Sequence, residues 1–138
     1  MRDLKYRFGT RSREVLATLD PRLQRVVTEL LRYVDVSLIH GHRGKDEQNR
    51  LQAEGKSKLR WPKSKHNTSP SLAVDLQPHP YPRDEKKLFA GLALIAGLAI
   101  RIADEQGVRI RWGGDWNENG DVTDNTFDDL FHLEIVEP

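Results

Sequence analysis

The sequence predicts an α+β fold: N-terminal helices packed on a small, mainly antiparallel sheet, with one long helix inserted between the strands and a metal site on the sheet face. Two observations predict the class. Helical periodicity dominates the first part of the chain, and short apolar runs with strand alternation dominate after residue 71, interrupted by one long helical segment. Because 138 residues support one core and leave little room for a second module, we expect a single domain over 1–138.

The helices are recognised by their caps and by their apolar faces. Asp20-Pro21 is typical of an N-cap followed by a first-turn proline. The apolar residues that follow share one helical face: Leu23, Val26, Val27, Leu30, Leu31 and Val34. Other helices are expected to begin at Ser12, to cover Lys45–Glu54 before Gly55, and to run from a cap at Asp84 to about Glu105.

Short apolar runs predict four strands: Val36–His40, Leu72–Leu76, Val108–Trp112 and Phe131–Val136. Strand alternation puts Ala73 and Asp75 on one face of the second strand. It also puts His132 and Glu134 together on one face of the last strand. Both strands therefore carry ionisable side chains on one face and apolar side chains on the other.

Composition restricts the chemistry that the chain can perform. It has no cysteine, which excludes disulfides and thiolate metal sites, so any metal must be held by His, Asp, Glu or carbonyl oxygen. The N-terminus lacks the apolar core of a signal peptide, and the apolar run Leu88–Ile100 is too short to span a bilayer. We therefore expect a protein that is made in the cytoplasm and does not insert into membranes.

The formal net charge of +1 conceals an asymmetry between the two ends of the chain. Arg and Lys are concentrated in residues 1–65, whereas residues 115–137 are acidic. A basic face of this kind is either a solvated surface or a contact for a polyanion, such as nucleic acid or an anionic cell-surface polymer. No recognised nucleic-acid-binding motif accompanies it, so we do not expect a nucleic-acid partner.

Candidate metal ligands stand out in two segments. Asp75 lies within Leu-Ala-Val-Asp-Leu, where an unpaired charge would be costly to bury, so a metal, a cation or a donor is expected beside it. The same argument applies to His132 and Glu134. Together with His66, two imidazoles and one carboxylate provide what a catalytic zinc needs, with the fourth position left to water. The remaining acidic residue could act on that water, so the pattern suggests a metallohydrolase.

These segments resemble a known family. Ser64-x-His66, Ala73-x-Asp75 and Asp129-x-x-His132 are similar to the motifs of the D-Ala-D-Ala-type zinc peptidases that cleave bacterial peptidoglycan. Further matches are Gly41-His42-Arg43 with Gln48, Gly55-x-Ser57 and Trp112-Gly113-Gly114-Asp115-Trp116. The resemblance covers Phe8 to Ile135 and is strongest to the single-domain phage endolysins that cut the L-alanyl-D-glutamate bond.

The resemblance implies roles for individual residues. His66, Asp75 and His132 would bind zinc, Asp129 would be the catalytic acid and base, and Arg43 would hold the substrate carbonyl and its developing oxyanion. Ser64 would support the site. Glu134 either orients a ligand imidazole or is an ordinary strand residue. The step from His66 to Asp75 is nine residues and contains Pro70, whereas the family has seven and a glycine. We expect the longer loop still to bring both groups to one metal.

A second metal signal lies in the loop before the last strand. Asp115, Asn117, Asn119 and Asp121 alternate, and Gly120 is sixth, as in the first half of a calcium-binding loop. Thr126 occupies the twelfth position, where such loops have glutamate. The pattern fits either a calcium site or a turn rich in Asn and Gly.

The leading hypothesis from the sequence is a monomeric zinc endopeptidase acting on the peptidoglycan stem peptide as a phage-type endolysin, with no separate wall-binding domain. Two alternatives remain at this point. A D-alanyl-D-alanine carboxypeptidase or dipeptidase would share the fold, and a non-catalytic wall- or polyanion-binding module would share the fold without the activity.

Overall fold

A computed structural model describes residues 3–125 and 128–138 and has the predicted α+β architecture. The helices in this part of the chain are α1 (Thr10–Leu16), α2 (Pro21–Leu30), α3 (Lys45–Ala53) and α4 (Glu85–Glu105), with a short 3₁₀ helix at Lys65–Asn67. The strands are β1 (Val36–His40), β2 (Ala73–Pro78), β3 (Ile110–Gly113) and β4 (Asp129–Ile135). None of the described helices is long and apolar enough to cross a membrane.

The four strands form one antiparallel sheet in the order β1-β2-β4-β3. Its register aligns ionisable residues in rows across the strands. Asp75 pairs with His40 on one side and with His132 on the other. In the adjacent row of the same face, Glu134 pairs with Ala73 and with Arg111. The sheet therefore collects its ionisable side chains on a single face.

The opposite face of the sheet is the floor of the hydrophobic core. Val74, Leu133 and Trp112 alternate with the ionisable residues and are buried there. Helix α4 packs over this face and also contacts α2. Asp84 caps α4 by accepting from the backbone N–H groups of its first turn. Because α4 occupies one face, the other face remains available for a site.

Local differences from the expected boundaries have identifiable causes. Helix α1 begins at Thr10, not at the predicted Ser12. Ser12 is buried, and its Oγ accepts a hydrogen bond from Leu38 N at 3.0 Å, so the hydroxyl links α1 to β1 rather than capping a helix. The 3₁₀ helix between α3 and β2 was not predicted, and Ser64 caps it. The predicted cap at Asp20 is confirmed, since its carboxylate accepts from Arg22 N.

Candidate active site

Three predicted ligand side chains converge at the centre of the ionisable face. His66 Nε2 lies 3.2 Å from His132 Nδ1 and 3.3 Å from Asp75 Oδ1. The distance from His132 Nδ1 to Asp75 Oδ1 is also 3.3 Å. Ligand atoms bonded to a tetrahedral zinc at about 2.0–2.2 Å are separated from one another by roughly 3.3 Å. His66, Asp75 and His132 therefore form a cluster that can hold a metal ion.

The second nitrogen of each imidazole already has an acceptor. His66 Nδ1 lies 2.7 Å from the carbonyl oxygen of Gly41, so it donates there and leaves Nε2 free to coordinate. His132 Nε2 lies 2.8 Å from Glu134 Oε1, which leaves Nδ1 for the metal. Acceptors of this kind fix the tautomer and the orientation of metal-binding histidines. Glu134 thus has the contact expected of a residue that orients a ligand imidazole.

The charges of the cluster also suit a cation. Burial disfavours the charged form of His132, but hydrogen bonds to Asp75 and Glu134 outweigh it and raise the pKa of His132 to about 9. Burial likewise opposes ionisation of Asp75, yet contacts with His132, His40 and His66 hold its pKa well below the ordinary value. The carboxylates of Asp75 and Glu134 thus supply negative charge that would also stabilise a bound cation.

Asp129 stands at the edge of the cluster, at the first residue of β4. Its Oδ2 is 3.9 Å from His132 Nδ1, and its side chain is 40% exposed. Partial burial and the neighbouring Asp75 carboxylate raise the pKa of Asp129 above the ordinary value. Asp129 is paired in register with Gly113, where a Cβ atom would lie 2.0 Å from the Asp129 carbonyl oxygen. Only glycine permits this close approach of the two backbones.

Arg43 approaches the cluster from the opposite side. Its Nη2 is 3.8 Å from Asp75 Oδ2, and its Nη1 donates to the fully buried Gln48 at 3.1 Å. Gln48 Nε2 in turn donates to Ser57 Oγ at 3.0 Å. The motif residues Arg43, Gln48 and Ser57 therefore form one hydrogen-bonded chain. Ser64 accepts from His66 N at 3.2 Å and so supports the turn that carries this ligand.

A cavity of about 680 Å³ opens over the cluster. It is lined by the three clustered ligand side chains, by Asp129 and Arg43, and by residues 56–59 and 63–65. Ser69 and Pro70, which belong to the lengthened His66–Asp75 loop, are exposed and do not line the cavity. The two ends of this loop nevertheless come together, since His66 Nε2 and Asp75 Oδ1 are 3.3 Å apart.

Sequence reasoning missed several residues around the cluster. His40 Nδ1 lies 3.3 Å from Asp75 Oδ2. Arg111 and Lys65 both contact Glu134, and the ring of Trp116 lies 5.6 Å from that of His132. The period-2 pattern of the predicted strand Val108–Trp112 contained a signal for Arg111, because Arg109 and Arg111 alternate there with apolar residues. Recognising that Arg111 faces Glu134 required the strand pairing.

The loop with alternating oxygen side chains is held by its own hydrogen bonds. Asp115 accepts from the backbone N–H of Asn119 at 3.2 Å and of Gly120 at 2.8 Å, and Asn119 Oδ1 accepts from Asp121 N at 2.8 Å. Asn117 is exposed, and its Oδ1 accepts from Asn119 N at 3.3 Å. None of these four side chains lines the cavity. Thr126 lies outside the described residues.

Comparisons with known proteins identify the family of this chain. A family model described as phage L-alanyl-D-glutamate peptidase matches residues 4–136. The L-alanyl-D-glutamate peptidase of Escherichia phage T5 is 30% identical over 140 residues, which cover 96% of this chain and all of the relative. The crystal structure of the Serratia marcescens L-Ala D-Glu endopeptidase ChiX superposes with a TM-score of 0.72 at 29% identity, covering 96% of this chain and 91% of that one. This chain belongs to the phage L-alanyl-D-glutamate peptidase family.

Proposed function

We propose that this protein is a zinc-dependent peptidoglycan endopeptidase that hydrolyses the L-alanyl-D-glutamate bond of the stem peptide as a phage-type endolysin. The observation that carries the proposal is the set of three ligand atoms at 3.2–3.3 Å from one another beside Asp129. Family membership supports the choice of this bond over the D-alanyl-D-alanine bond. The presence of both Asp129 and Arg43 at the cluster argues against a non-catalytic binding module.

His66, Asp75 and His132 would hold the zinc, which when bound lowers the pKa of a water molecule and polarises the scissile carbonyl. Asp129 would accept a proton from the attacking water and deliver it to the leaving amine. Its raised pKa brings the carboxylate closer to the range in which it can perform both transfers. Arg43, held by Gln48, would donate to the developing oxyanion from a fixed position.

Mass spectrometry of purified peptidoglycan digested with the zinc-loaded protein tests the reaction. We expect fragments with new amino-terminal D-glutamate and carboxy-terminal L-alanine. Release of D-alanine would instead indicate a carboxypeptidase or dipeptidase, and a digest with no products would overturn the enzymatic proposal. Chelation should abolish the activity, and added zinc should restore it.

The role of Asp129 is tested by Asp129→Ala. Turnover should fall by about 10²–10⁴-fold because proton transfer is lost, whereas zinc stoichiometry should remain that of the unaltered protein. Asp128→Ala is the matched control, since Asp128 is the exposed neighbouring carboxylate and does not line the cavity. Full activity of the Asp129 variant, with a loss in the Asp128 variant, would move the catalytic role by one residue.

We also propose that the loop of Asp115, Asn117, Asn119 and Asp121 binds calcium. The alternating oxygens and the positive φ of Gly120 (80°) support the proposal, since calcium loops need a sharp turn at that position. The loop leads into β4, so an ion there would order the approach to Asp129. Calcium at millimolar concentration should raise the thermal midpoint of the protein and not that of Asp115→Ala. An unchanged midpoint in the unaltered protein would contradict the proposal.

The described residues of a single chain supply the three ligand side chains, Asp129 and Arg43. We therefore propose that the protein works as a monomer, made in the host cytoplasm and reaching the stem peptide of the wall once the membrane is opened. Sedimentation analysis of the zinc-loaded protein should give a single species near 15.9 kDa.

A further inference from the structure

We propose that Lys65 and Arg111 form a carboxylate-binding subsite beside the metal cluster, which takes the free carboxylate of the D-glutamate residue on the leaving-group side of the scissile bond. The proposal rests on the proposed function and adds to it two residues that determine specificity. It concerns a part of the cavity wall that neither binds the metal nor transfers a proton.

The contacts of Glu134 define the subsite. Glu134 Oε1 is occupied by His132 Nε2 at 2.8 Å. Its Oε2 is shared by two cations, with Arg111 Nη2 at 2.8 Å and Lys65 Nζ at 3.2 Å. One carboxylate side chain therefore faces two cationic side chains.

Both cations can reach a ligand in the cavity. Their side chains are 29% and 31% exposed, for Lys65 and Arg111 respectively, and both line the cavity. The Arg111 guanidinium lies 5.5 Å from the centre of the Trp116 ring, within the range of a cation–π contact. Its Nη1 has only a long contact, 3.5 Å, with Trp116 O. Donors on Arg111 therefore remain for a further acceptor.

The rest of the cavity has the same sign of charge. Among the described lining residues, the acidic side chains are Asp75, Asp129 and Glu134, whereas the basic ones are Arg43, Lys56, Lys58, Lys63, Lys65 and Arg111. A metal ion would increase the positive excess. A cavity of this composition attracts an anionic ligand. Arg43 contacts the ligand Asp75, whereas Lys65 and Arg111 are linked to His132 through Glu134.

The chemistry of the scissile bond identifies the anion. Glutamate on the amine side of an L-alanyl-D-glutamate bond has two carboxyl groups, and only one of them can continue the chain. The other is a free carboxylate within one residue of the reacting carbonyl. Alanine on the acyl side carries no charge. A cationic subsite beside the candidate metal site therefore fits the glutamate side, where Arg111 Nη1 and Lys65 Nζ can donate charge-assisted hydrogen bonds.

The test uses two otherwise identical stem peptides, one with the free glutamate carboxylate and one with that group converted to a carboxamide. We expect the zinc-loaded protein to prefer the free acid by roughly 10- to 100-fold in kcat/KM, the range of one or two charge-assisted hydrogen bonds. In Arg111→Gln and Lys65→Met the preference should fall towards unity. Both substitutions remove a contact of Glu134 and could therefore disturb the zinc site, but this would lower kcat/KM for both peptides alike. The ratio of the two kcat/KM values therefore reports on the subsite alone.

Lys87→Met is the matched control, because it removes one positive charge from the exposed surface of α4, away from the cavity. Its preference for the free acid should equal that of the unaltered protein. Equal rates on both peptides, or an unchanged ratio in both subsite variants, would overturn the proposal. The subsite can also be tested without turnover, by calorimetry with the two product peptides that carry glutamate, one with the free carboxylate and one with the carboxamide. The ratio of their affinities should show the same preference. A lack of cleavage would then count against the proposed function, while the affinities would still test the subsite.

Discussion

The two histidines of the candidate metal site are hydrogen-bonded to different kinds of partner. His66 donates to a backbone carbonyl, that of Gly41, and sits on a 3₁₀ helix between β1 and β2. His132 contacts a carboxylate, Glu134, on the same strand, and this carboxylate is held by Lys65 and Arg111. One side of the cluster is therefore fixed by backbone position and the other by a charged network. The two sides should respond differently to substitution and to pH.

Glu134→Gln should have the largest effect on zinc affinity, because it alters the charged network around His132 and leaves the backbone contact of His66 in place. The amide keeps the shape of the side chain but removes the charge that faces His132, Lys65 and Arg111. Loss of such an outer partner typically lowers metal affinity by about 10- to 100-fold, which competition with a zinc indicator would measure. A variant with unchanged zinc affinity would mean that the backbone carbonyl at His66 alone determines the strength of the site.

Gly41→Ala tests the backbone side. A Cβ atom at Gly41 would lie 2.2 Å from Thr18 Oγ1 and 2.9 Å from Leu19 Cδ2, so the end of β1 must move, and its carbonyl with it. We expect a loss of about 1–3 kcal/mol in the free energy of unfolding, measured by urea denaturation, together with weaker zinc binding. Adding Thr18→Ala removes the closest contact and should recover part of both losses. Full stability of the single variant would show that the strand end adapts without cost.

The pH dependence of folding stability in the metal-free protein should reveal the contribution of the charged network around His132, which the backbone contact of His66 lacks. The pKa of Glu134 is lowered from 4.5 to about 2. The stability that its ionised form adds to the folded protein is therefore complete above pH 4.5 and is lost as pH falls through 2. The pKa of His132 is raised from 6.5 to about 9, so the stability that its protonated form adds is complete below pH 6.5 and is lost as pH rises through 9. The stability difference between the unaltered protein and Glu134→Gln should be greatest at pH 4.5–6.5. A difference that does not vary with pH would exclude the charged pair as its source.

Asp20→Ala should have the smallest effect and should alter the surroundings of neither His66 nor His132. It removes the cap of α2, which costs about 1 kcal/mol of stability. Zinc affinity and kcat/KM should not change, because α2 lies beyond the core face of the sheet. A shift in zinc affinity in this variant would mean that the core and the site are coupled through the sheet.

Much of this arrangement could be predicted from the sequence because it depends on local patterns. The strand alternation at Ala73–Asp75 and at His132–Glu134 fixed which side chains share a face. The cap at Asp20-Pro21 fixed the start of α2. The resemblance, rather than periodicity, provided the roles of Asp129 and Arg43, and these roles remain proposals.

The features that escaped prediction depend on pairing between distant segments. Arg111 meets Glu134 only because β3 pairs with β4, and His40 meets Asp75 only because β1 pairs with β2. Ser12 was misread as a helix start because its partner, Leu38 N, lies on a strand 26 residues away. A single sequence carries no record of such pairings when each residue, taken alone, is an ordinary polar residue.

The register of the sheet has a consequence for how the protein matures. Leu133 lies in the core between the two residues, His132 and Glu134, that face the cluster. If β4 paired with β2 one residue out of register, Leu133 would turn to solvent and the two ionisable side chains would enter the core. Such a molecule would lose the core contacts that stabilise the fold at the same time as the site. Any chain that folds stably therefore has its catalytic face assembled, and the fraction of active enzyme in a preparation should follow the fraction of folded protein.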